Sequence, residues 1–378
     1  MALNLIAKML TIFPKRFTIF FIMLIMRPEK RIKMKKTDEI YAFIIENVDH
    51  HPEDIVSLVA QTFSMSRQAA HRHITKMIAN NSLKAEGATK SRKYTLVPLV
   101  DQTWKFAVAD LEEDRVWRNN VAPVLQGLAE NVYRICQHGV TEMVNNAIDH
   151  SDGKFINVQI VRTPTLVKIM VRDDGIGIFY KITRDFKLDD PLHAILELSK
   201  GKLTTDPARH SGEGIFFTSR MFDEFSIMSG NLFFSHQSHD DDTNMQDWLL
   251  EVKGKDIKGT VVQMEILANS KRTTLQVFDR YTIDDDFGFS KTYVPVSLAQ
   301  YGDDNLISRS QARRLLTRFE RFKEIILDFR NVDSIGQAFA DEVFRVFKNA
   351  HPDVHLIPVN GNKDVMKMIM RVSSENSL

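Results

Sequence analysis

The spacing of hydrophobic positions changes repeatedly along the 378 residues, and each change marks an element. From Asp38 to Val48 (DEIYAFIIENV) the apolar residues recur with helical spacing. A second helix is predicted over Glu53–Phe63, just after Pro52, and a third from Ser66 to about Asn80–Asn81. The break at Ser64–Met65 reads as the tight connection of a helix-turn-helix. Beyond it, LKAEGATKSRKYTL reads as two short strands around a basic, glycine-containing turn, the wing of a winged helix. These elements define a first domain over 37–97.

From about Trp104 to Ile266 helices alternate with β-rich runs. Strands are predicted at Ile156–Val161, Val167–Val171, Phe225–Met228, Trp248–Val252 and Thr260–Ile266. Acidic Asp240–Asp247 reads as an exposed hairpin loop, and Asp284–Asp286 as the connection that separates this domain (104–270) from the last (288–373). In the last, Ser308 is expected to cap the helix SQARRLLTRFERF. The strand Glu324–Phe329, the helix QAFADEVFRVF, the strand HLIPV and a final helix near Lys363–Met370 follow. The fold class is multidomain α/β.

The first 33 residues differ from the rest. Phe17–Met26 is an apolar run of ten residues between Lys15-Arg16 and Arg27. A membrane helix needs about 20, so no stable span is expected. Met26-Arg27-Pro28 offers no signal-peptide cleavage site. An interfacial anchor is one reading; a non-native upstream extension, with Met26 or Met34 as the working start, is the simpler one.

Lys+Arg (50) and Asp+Glu (49) nearly cancel, so charge matters only locally. From Ser66 to Lys93 seven Lys/Arg face a single acid, Glu86. Basic side chains neutralise phosphates, and the first residues of a recognition helix reach base edges. The DNA-binding candidates are Ser66, Arg67, Gln68, Arg72, Lys76, Arg92 and Lys93, making DNA the expected partner of residues 37–97. The alternative is a helix-turn-helix used for protein contacts or homodimerisation. Cys136 is the sole cysteine, which excludes a disulfide framework and a Cys-based zinc site and fits a reducing cytoplasm.

Four short motifs carry the candidate chemistry. Glu142-Met-Val-Asn-Asn146-Ala-Ile-Asp149-His150 lies on a predicted helix, with Glu142 and Asn146 on one face. An amide oxygen suits Mg²⁺, and a neighbouring carboxylate can polarise a water aimed at a phosphate. Asp173-Asp-Gly175-Ile-Gly177 follows an apolar strand, where a carboxylate can accept from an adenine amino group while glycines permit close backbone approach. Ser211-Gly212-Glu-Gly214 opens an apolar helix whose exposed N–H groups suit an anion. Gly259-Thr260 begins a late strand, where a hydroxyl can support the adenine contact.

In this order, across roughly 120 residues, the motifs resemble the ATPase superfamily of gyrase, MutL, heat-shock chaperone ATPases and histidine kinases, over about Asn119–Leu267. The resemblance implies an α/β sandwich with a mixed sheet that binds ATP and Mg²⁺ beneath a lid at 179–210. It implies that Asn146 holds Mg²⁺ and that Asp173 reads adenine with Thr260. Gly175, Gly177, Gly212 and Gly214 would shape the pocket, Asp149 would join the nucleotide-binding set, and Glu142 would be the general base. By charge alone, Lys200 and Lys202 are expected to meet phosphates. His150 and His210 are expected to make local hydrogen bonds, and His138 lies just ahead of the Glu/Asn helix. A histidine kinase needs a separate phosphoacceptor hairpin; between Leu96 and Glu142 there is room for about two helices, which the ATPase fold itself is expected to use, so an ordinary sensor histidine kinase is not expected.

ILDFRNVDSIGQAFADEVF resembles the central strand-loop-helix of STAS domains, and more closely the STAS-like domain of unknown function often joined to such ATPases. In related anti-sigma systems an ATPase phosphorylates the second serine of an Asp-Ser-Ser-Gly turn. Here the turn is Asp333-Ser334-Ile335-Gly336, so Ser334 is the remaining phosphoacceptor candidate, with helix capping as its alternative role. The domain is expected to read the nucleotide state. Closure of the lid at 179–210 would alter docking of the Asp333–Phe339 turn and helix, with Gln337 and Asp341 as candidate surface contacts there; a protein partner of the domain is a further expectation. The leading expectation is a cytoplasmic, ATP-binding, DNA-binding regulator, its ATP hydrolysis open. The alternatives are an anti-sigma-type Ser/Thr kinase acting on Ser334 or a partner, and a signalling scaffold.

Overall fold

The structure, a computed structural model, describes residues 35–374 apart from 89–90, 204–211, 238–245, 252–253, 255 and 284–285, and 301–304. The leading extension, Lys90, His210, Ser211 and most of the 240–247 loop therefore lie outside the described residues. No helix among the described residues is long and apolar enough to cross a membrane. The fold is mixed α/β and divides into two compact units.

The first unit comprises the chain up to Asp101 together with Val161–Leu166. Its helices are α1 (Lys36–Asn47), α2 (Ile55–Thr62) and α3 (Arg67–Ala79). Ile40, Ile44, Ile55, Val59, Ala70, Ile74 and Met77 meet at helical spacing in one core. Ser64 (φ 49°) makes the turn between α2 and α3, and the Ser66 hydroxyl caps α3 by accepting from Ala69 N at 3.2 Å. Strands β1 (Leu83–Glu86) and β2 (Lys93–Leu96) pair antiparallel, placing Leu83, Tyr94 and Leu96 beneath the helices. The loop 161–166 belongs to this unit: Leu99 N donates to Arg162 O at 2.7 Å, and Thr165 Oγ1 to Asp49 Oδ2 at 3.4 Å.

The second unit holds a seven-stranded sheet in the order β3-β4-β5-β9-β6-β7-β8. Its members in chain order are β3 (Val100–Ala107), β4 (Phe155–Arg162), β5 (Leu166–Asp173), β6 (Glu224–Gly230), β7 (Leu232–Gln237), β8 (Gln246–Glu251) and β9 (Ile257–Leu267). β6 pairs antiparallel with both β7 and β9, and β7 with β8. Alternate residues such as Val167, Ile169 and Val171 are buried. Its longer helices are α4 (Glu130–His150), α5 (Ile178–Asp185), α6 (Pro191–Lys200), α7 (Gly214–Met221) and α8 (Thr274–Arg280), preceded by a short helical stretch over 113–124. α4 packs on β9, α7 on β6 and β7, and α8 on both helices.

Sequence periodicity anticipated five of these strands but neither β3 nor β7. β3 has no fully buried position to give it an apolar face, and Leu-Phe-Phe-Ser-His-Gln in β7 is buried at three consecutive positions instead of alternating. Gln246 and Asp247, expected in a loop, open β8. His138 lies within α4 rather than ahead of it, because that helix begins at Glu130.

After the small hairpin β10 (Thr282–Ile283) and β11 (Asp286–Phe289), three parallel strands form a separate sheet in the same unit. They are β12 (Lys291–Pro295), β13 (Glu324–Asp328) and β14 (His355–Val359), in that order. Helices α9 (Arg309–Leu316), α10 (Gln337–Asp341, continuing to Ala350) and α11 (Lys363–Ser374) accompany them. At the strand ends Asp328 accepts from the Tyr293 hydroxyl, from Arg330 Nε at 2.7 Å and from Asn360 Nδ2 at 2.9 Å, which fixes the loops leaving the sheet. An aromatic cluster runs from Phe217 and Phe216 on α7 through Phe289 to Phe322, with centroids 4.4 Å (Phe216–Phe289) and 5.4 Å (Phe289–Phe322) apart. This cluster joins α7 to the small hairpin and to the segment that leads into β13.

Candidate functional site

A cavity of about 320 Å³ lies between α4, α5, α7 and the sheet. Residues far apart in the chain line it: Glu142 and Asn146 from α4, Asp173 from β5, Gly212 and Gly214 at the entry to α7, and Thr260 from β9. The helical spacing expected for Glu142 and Asn146 does put both on one wall.

Asp173 ends β5 and is 5% exposed. Its Oδ1 accepts from Gly175 N at 2.9 Å and from Thr260 N at 3.1 Å. Burial pushes its carboxyl above the usual range, and the two N–H donors oppose that shift. The Thr260 hydroxyl accepts from Ile178 N at 3.0 Å, linking β9 to the start of α5. Asp174, not singled out from sequence, braces the neighbouring turn by accepting from Lys154 N at 2.7 Å and Phe155 N at 2.9 Å.

Two glycines stand at close approaches, and at Gly175, where the neighbour is backbone, glycine is required. A Cβ at Gly175 would lie 1.9 Å from Ser151 O, so only glycine lets the turn pass the end of α4. A Cβ at Gly214 would lie 2.1 Å from Glu142 Oε2, so that carboxylate sits against the first residue of α7. Gly177 (φ 90°) precedes α5, while Gly212 (φ 72°) backs onto Leu203, whose N donates to Gly212 O at 3.1 Å. Asn146 Nδ2 is buried with no hydrogen-bond partner, so its amide nitrogen is uncommitted.

Several expected members stand elsewhere. Asp149 is exposed and does not line the cavity; His150, one residue on, does. Gly175 and Gly177 shape the adjoining turn without lining the cavity. Lys200 and Lys202 do not line it either. Lys200 is 0% exposed, and its Nζ donates to Glu197 Oε1 at 2.5 Å and to the carbonyls of Arg314 (3.2 Å) and Thr317 (3.0 Å). Lys202 Nζ donates to Arg321 O at 3.0 Å. Charge alone misdirected that expectation, since both lysines are drawn to the C-terminal segment by carbonyls and a buried carboxylate. Burial brings Lys200 down to about 8. Burial acts to raise Glu197, but Lys200 and Arg318 outweigh it and hold the carboxyl down to about 2.

The cavity lining also includes Lys181 and Asp185. The signal for them was in the sequence: Ile178, Lys181, Ile182 and Asp185 stand at i, i+3, i+4 and i+7 of α5, and all four line the wall. Lys181 Nζ is 3.7 Å from Asp152 Oδ1.

In the first unit Arg67, Gln68, Arg72 and Lys76 are exposed on α3, and Arg92 is exposed in the turn that leads into β2. Ser66 is committed to its cap, and Lys93 pairs with Glu53 at 2.9 Å. In the C-terminal turn Ser334 is half-buried and Ile335 is 5% exposed, bridged to Leu306. Gly336, not Ser334, is the residue that precedes and caps α10. Asp341, expected on the surface, is 9% exposed and paired with Arg345 and Arg309.

A comparison of the chain with curated proteins found no match. Residues 311–366, from α9 into α11, match the family model of the STAS-like domain of unknown function (DUF4325), so the chain carries a STAS-like domain at its C-terminus.

Proposed function

We propose that the second unit binds Mg-ATP in the Glu142–Thr260 cavity and that the chain is a nucleotide-dependent regulator acting on DNA through a winged helix in its first unit. One observation carries this reading. Four motifs spread over residues 142–260 converge on one cavity, with a buried carboxylate, Asp173, oriented by two backbone N–H groups. That convergence supports a histidine-kinase-like ATPase site, in which Asp173 accepts from the adenine amino group beside Thr260. Phosphates would then lie toward Gly212 and Gly214, where N–H groups at the start of α7 favour an anion.

The donor set fits Mg²⁺ held jointly with phosphates. Among the described residues no group of three or more His, Cys, Asp or Glu can hold a metal alone, whereas the buried Asn146 amide has a side-chain nitrogen without a partner. Amide nitrogen and oxygen exchange by a half-turn, so Asn146 can present an oxygen. A bound Mg²⁺ supplies charge neutralisation across the phosphates. Glu142 lines the cavity against Gly214, and on this reading its carboxylate would take a proton from an attacking water.

The DNA-binding half of the proposal rests on Arg67, Gln68, Arg72 and Lys76, exposed on α3, and on Arg92, exposed in the hairpin turn. Calorimetric titration of the intact chain with ATP and Mg²⁺ tests the nucleotide site. Electrophoretic mobility shift over a salt series tests the DNA contact. Absence of ATP binding would remove the central claim.

A further inference from the structure

A segment that contributes to the cavity wall is held by residues of the STAS-like domain, none of which lines the cavity itself. Leu198, on α6, and Leu203, just beyond it, line the cavity. The residues between and around them are held from the C-terminal side. Arg318 donates through Nε to Glu197 Oε2 at 2.6 Å, through one terminal nitrogen to Glu197 O at 2.9 Å, and through the other to Lys202 O at 2.8 Å. Lys200 returns two bonds to the carbonyls of Arg314 and Thr317, and Thr292 Oγ1 on β12 donates to Lys200 O at 2.7 Å. The side chains of Glu197, Lys200 and Arg318 are 2%, 0% and 9% exposed, so three ionised groups are sealed within this contact.

We infer that Arg318 is a positioning residue for the nucleotide site, acting through Glu197 and Lys202 so that docking of the STAS-like domain sets where Leu198 and Leu203 stand. The inference rests on the nucleotide reading of the cavity. Its physical basis is the nature of the contact. Well-packed apolar residues would stabilise such an interface at least as well as buried charges, which hold only when every partner is in place. The contact is therefore either complete or broken, the kind of two-arrangement element that can carry coupling. Its geometry also leaves little slack. Arg318 itself adopts a left-handed conformation (φ 65°), and Gly201 (φ 80°) turns the chain so tightly that a Cβ there would lie 2.6 Å from the Phe289 ring. Leu198 follows Glu197 directly in the chain, so a displaced Glu197 moves the cavity wall. By reciprocity, a nucleotide that uses this wall must tighten the contact by the factor with which the contact tightens the nucleotide.

The test uses the full-length chain and a non-hydrolysable ATP analogue with Mg²⁺. Nucleotide is expected to slow amide exchange at residues 309–322, remote in sequence from the ATP motifs, a readout that a merely structural role for Arg318 would not give. Arg318→Ala, with its fold checked by circular dichroism, is expected to raise the Kd about tenfold, within the ordinary range of coupling between sites. Arg318→Lys keeps the charge but not the forked geometry and should fall between wild type and Arg318→Ala. A folded Arg318→Ala with unchanged affinity, or a wild-type 309–322 segment indifferent to nucleotide, overturns the inference while leaving the ATP site standing. If Arg318→Ala does not fold, the wild-type exchange result alone decides. Failure of the wild type to bind the analogue overturns the nucleotide reading and the inference with it.

Discussion

Asp173 Oδ1 lies 3.1 Å from the backbone nitrogen of Thr260, a residue 87 positions later, and this bond joins the end of β5 to β9 at the cavity floor. Gly259 makes it feasible: with φ at 76°, it brings the strand close enough that a Cβ would lie 2.3 Å from Asp173 O. The carboxylate is thus oriented by the sheet itself rather than by a mobile side chain.

Asp173→Asn therefore tests adenine recognition. The substitution can keep one oxygen for Gly175 N and Thr260 N but turns the other into a donor, which repels an adenine amino group. Losing a hydrogen bond to a charged group costs about 1.5–3 kcal/mol, roughly 10- to 150-fold in Kd. Calorimetry should show that loss with the melting temperature little changed; equal affinity would refute the assignment.

Glu142 separates binding from turnover. If it takes the proton from water, Glu142→Ala should retain ATP while slowing phosphate release by about a hundredfold or more. Phosphate release measured at saturating ATP checks this. Equal rates in both proteins would leave Glu142 as a packing partner of Gly214 only.

The basic face of α3 makes an ionic-strength prediction. Replacing Arg67, Arg72 and Lys76 by alanine should weaken DNA binding and flatten its dependence on salt. On a plot of log affinity against log salt, the slope should fall by about one for each phosphate that is no longer neutralised. A variant with wild-type affinity and slope would favour protein contacts for this unit.

His138 gives a pH prediction. Burial pushes its imidazole down to about 4 from the usual 6.5, beside the Phe278 ring at 5.8 Å. Between those values the unfolded chain binds a proton that the folded chain does not, so stability falls as pH drops from 6.5 toward 4. The loss is at most about 3.4 kcal/mol. His138→Phe should flatten this part of a urea-melt pH series; an unchanged profile would assign the acid sensitivity to other groups.

Elements whose apolar spacing is local were legible from the chain itself. The helices around Ile40–Ile45, Ile55–Val59 and Ala70–Met77 each bury one stripe against a shared core, and the strands at 155–162 and 166–173 alternate cleanly. The ordered motifs around Glu142, Asp173, Gly212 and Thr260 were equally visible, because each is a short run with its own turn or helix-start chemistry. What the chain could not disclose was direction. Nothing local distinguishes a lysine aimed at a phosphate from Lys200, whose target carbonyls at 314 and 317 lie more than a hundred residues away. The same holds for Asp149, turned outward while His150 faces the cavity, and for Arg318, whose partners Glu197 and Lys202 lie more than a hundred residues earlier. Periodicity reports which residues leave water. Only the tertiary packing decides which partner each polar group meets once there, because that partner is supplied by distant parts of the chain.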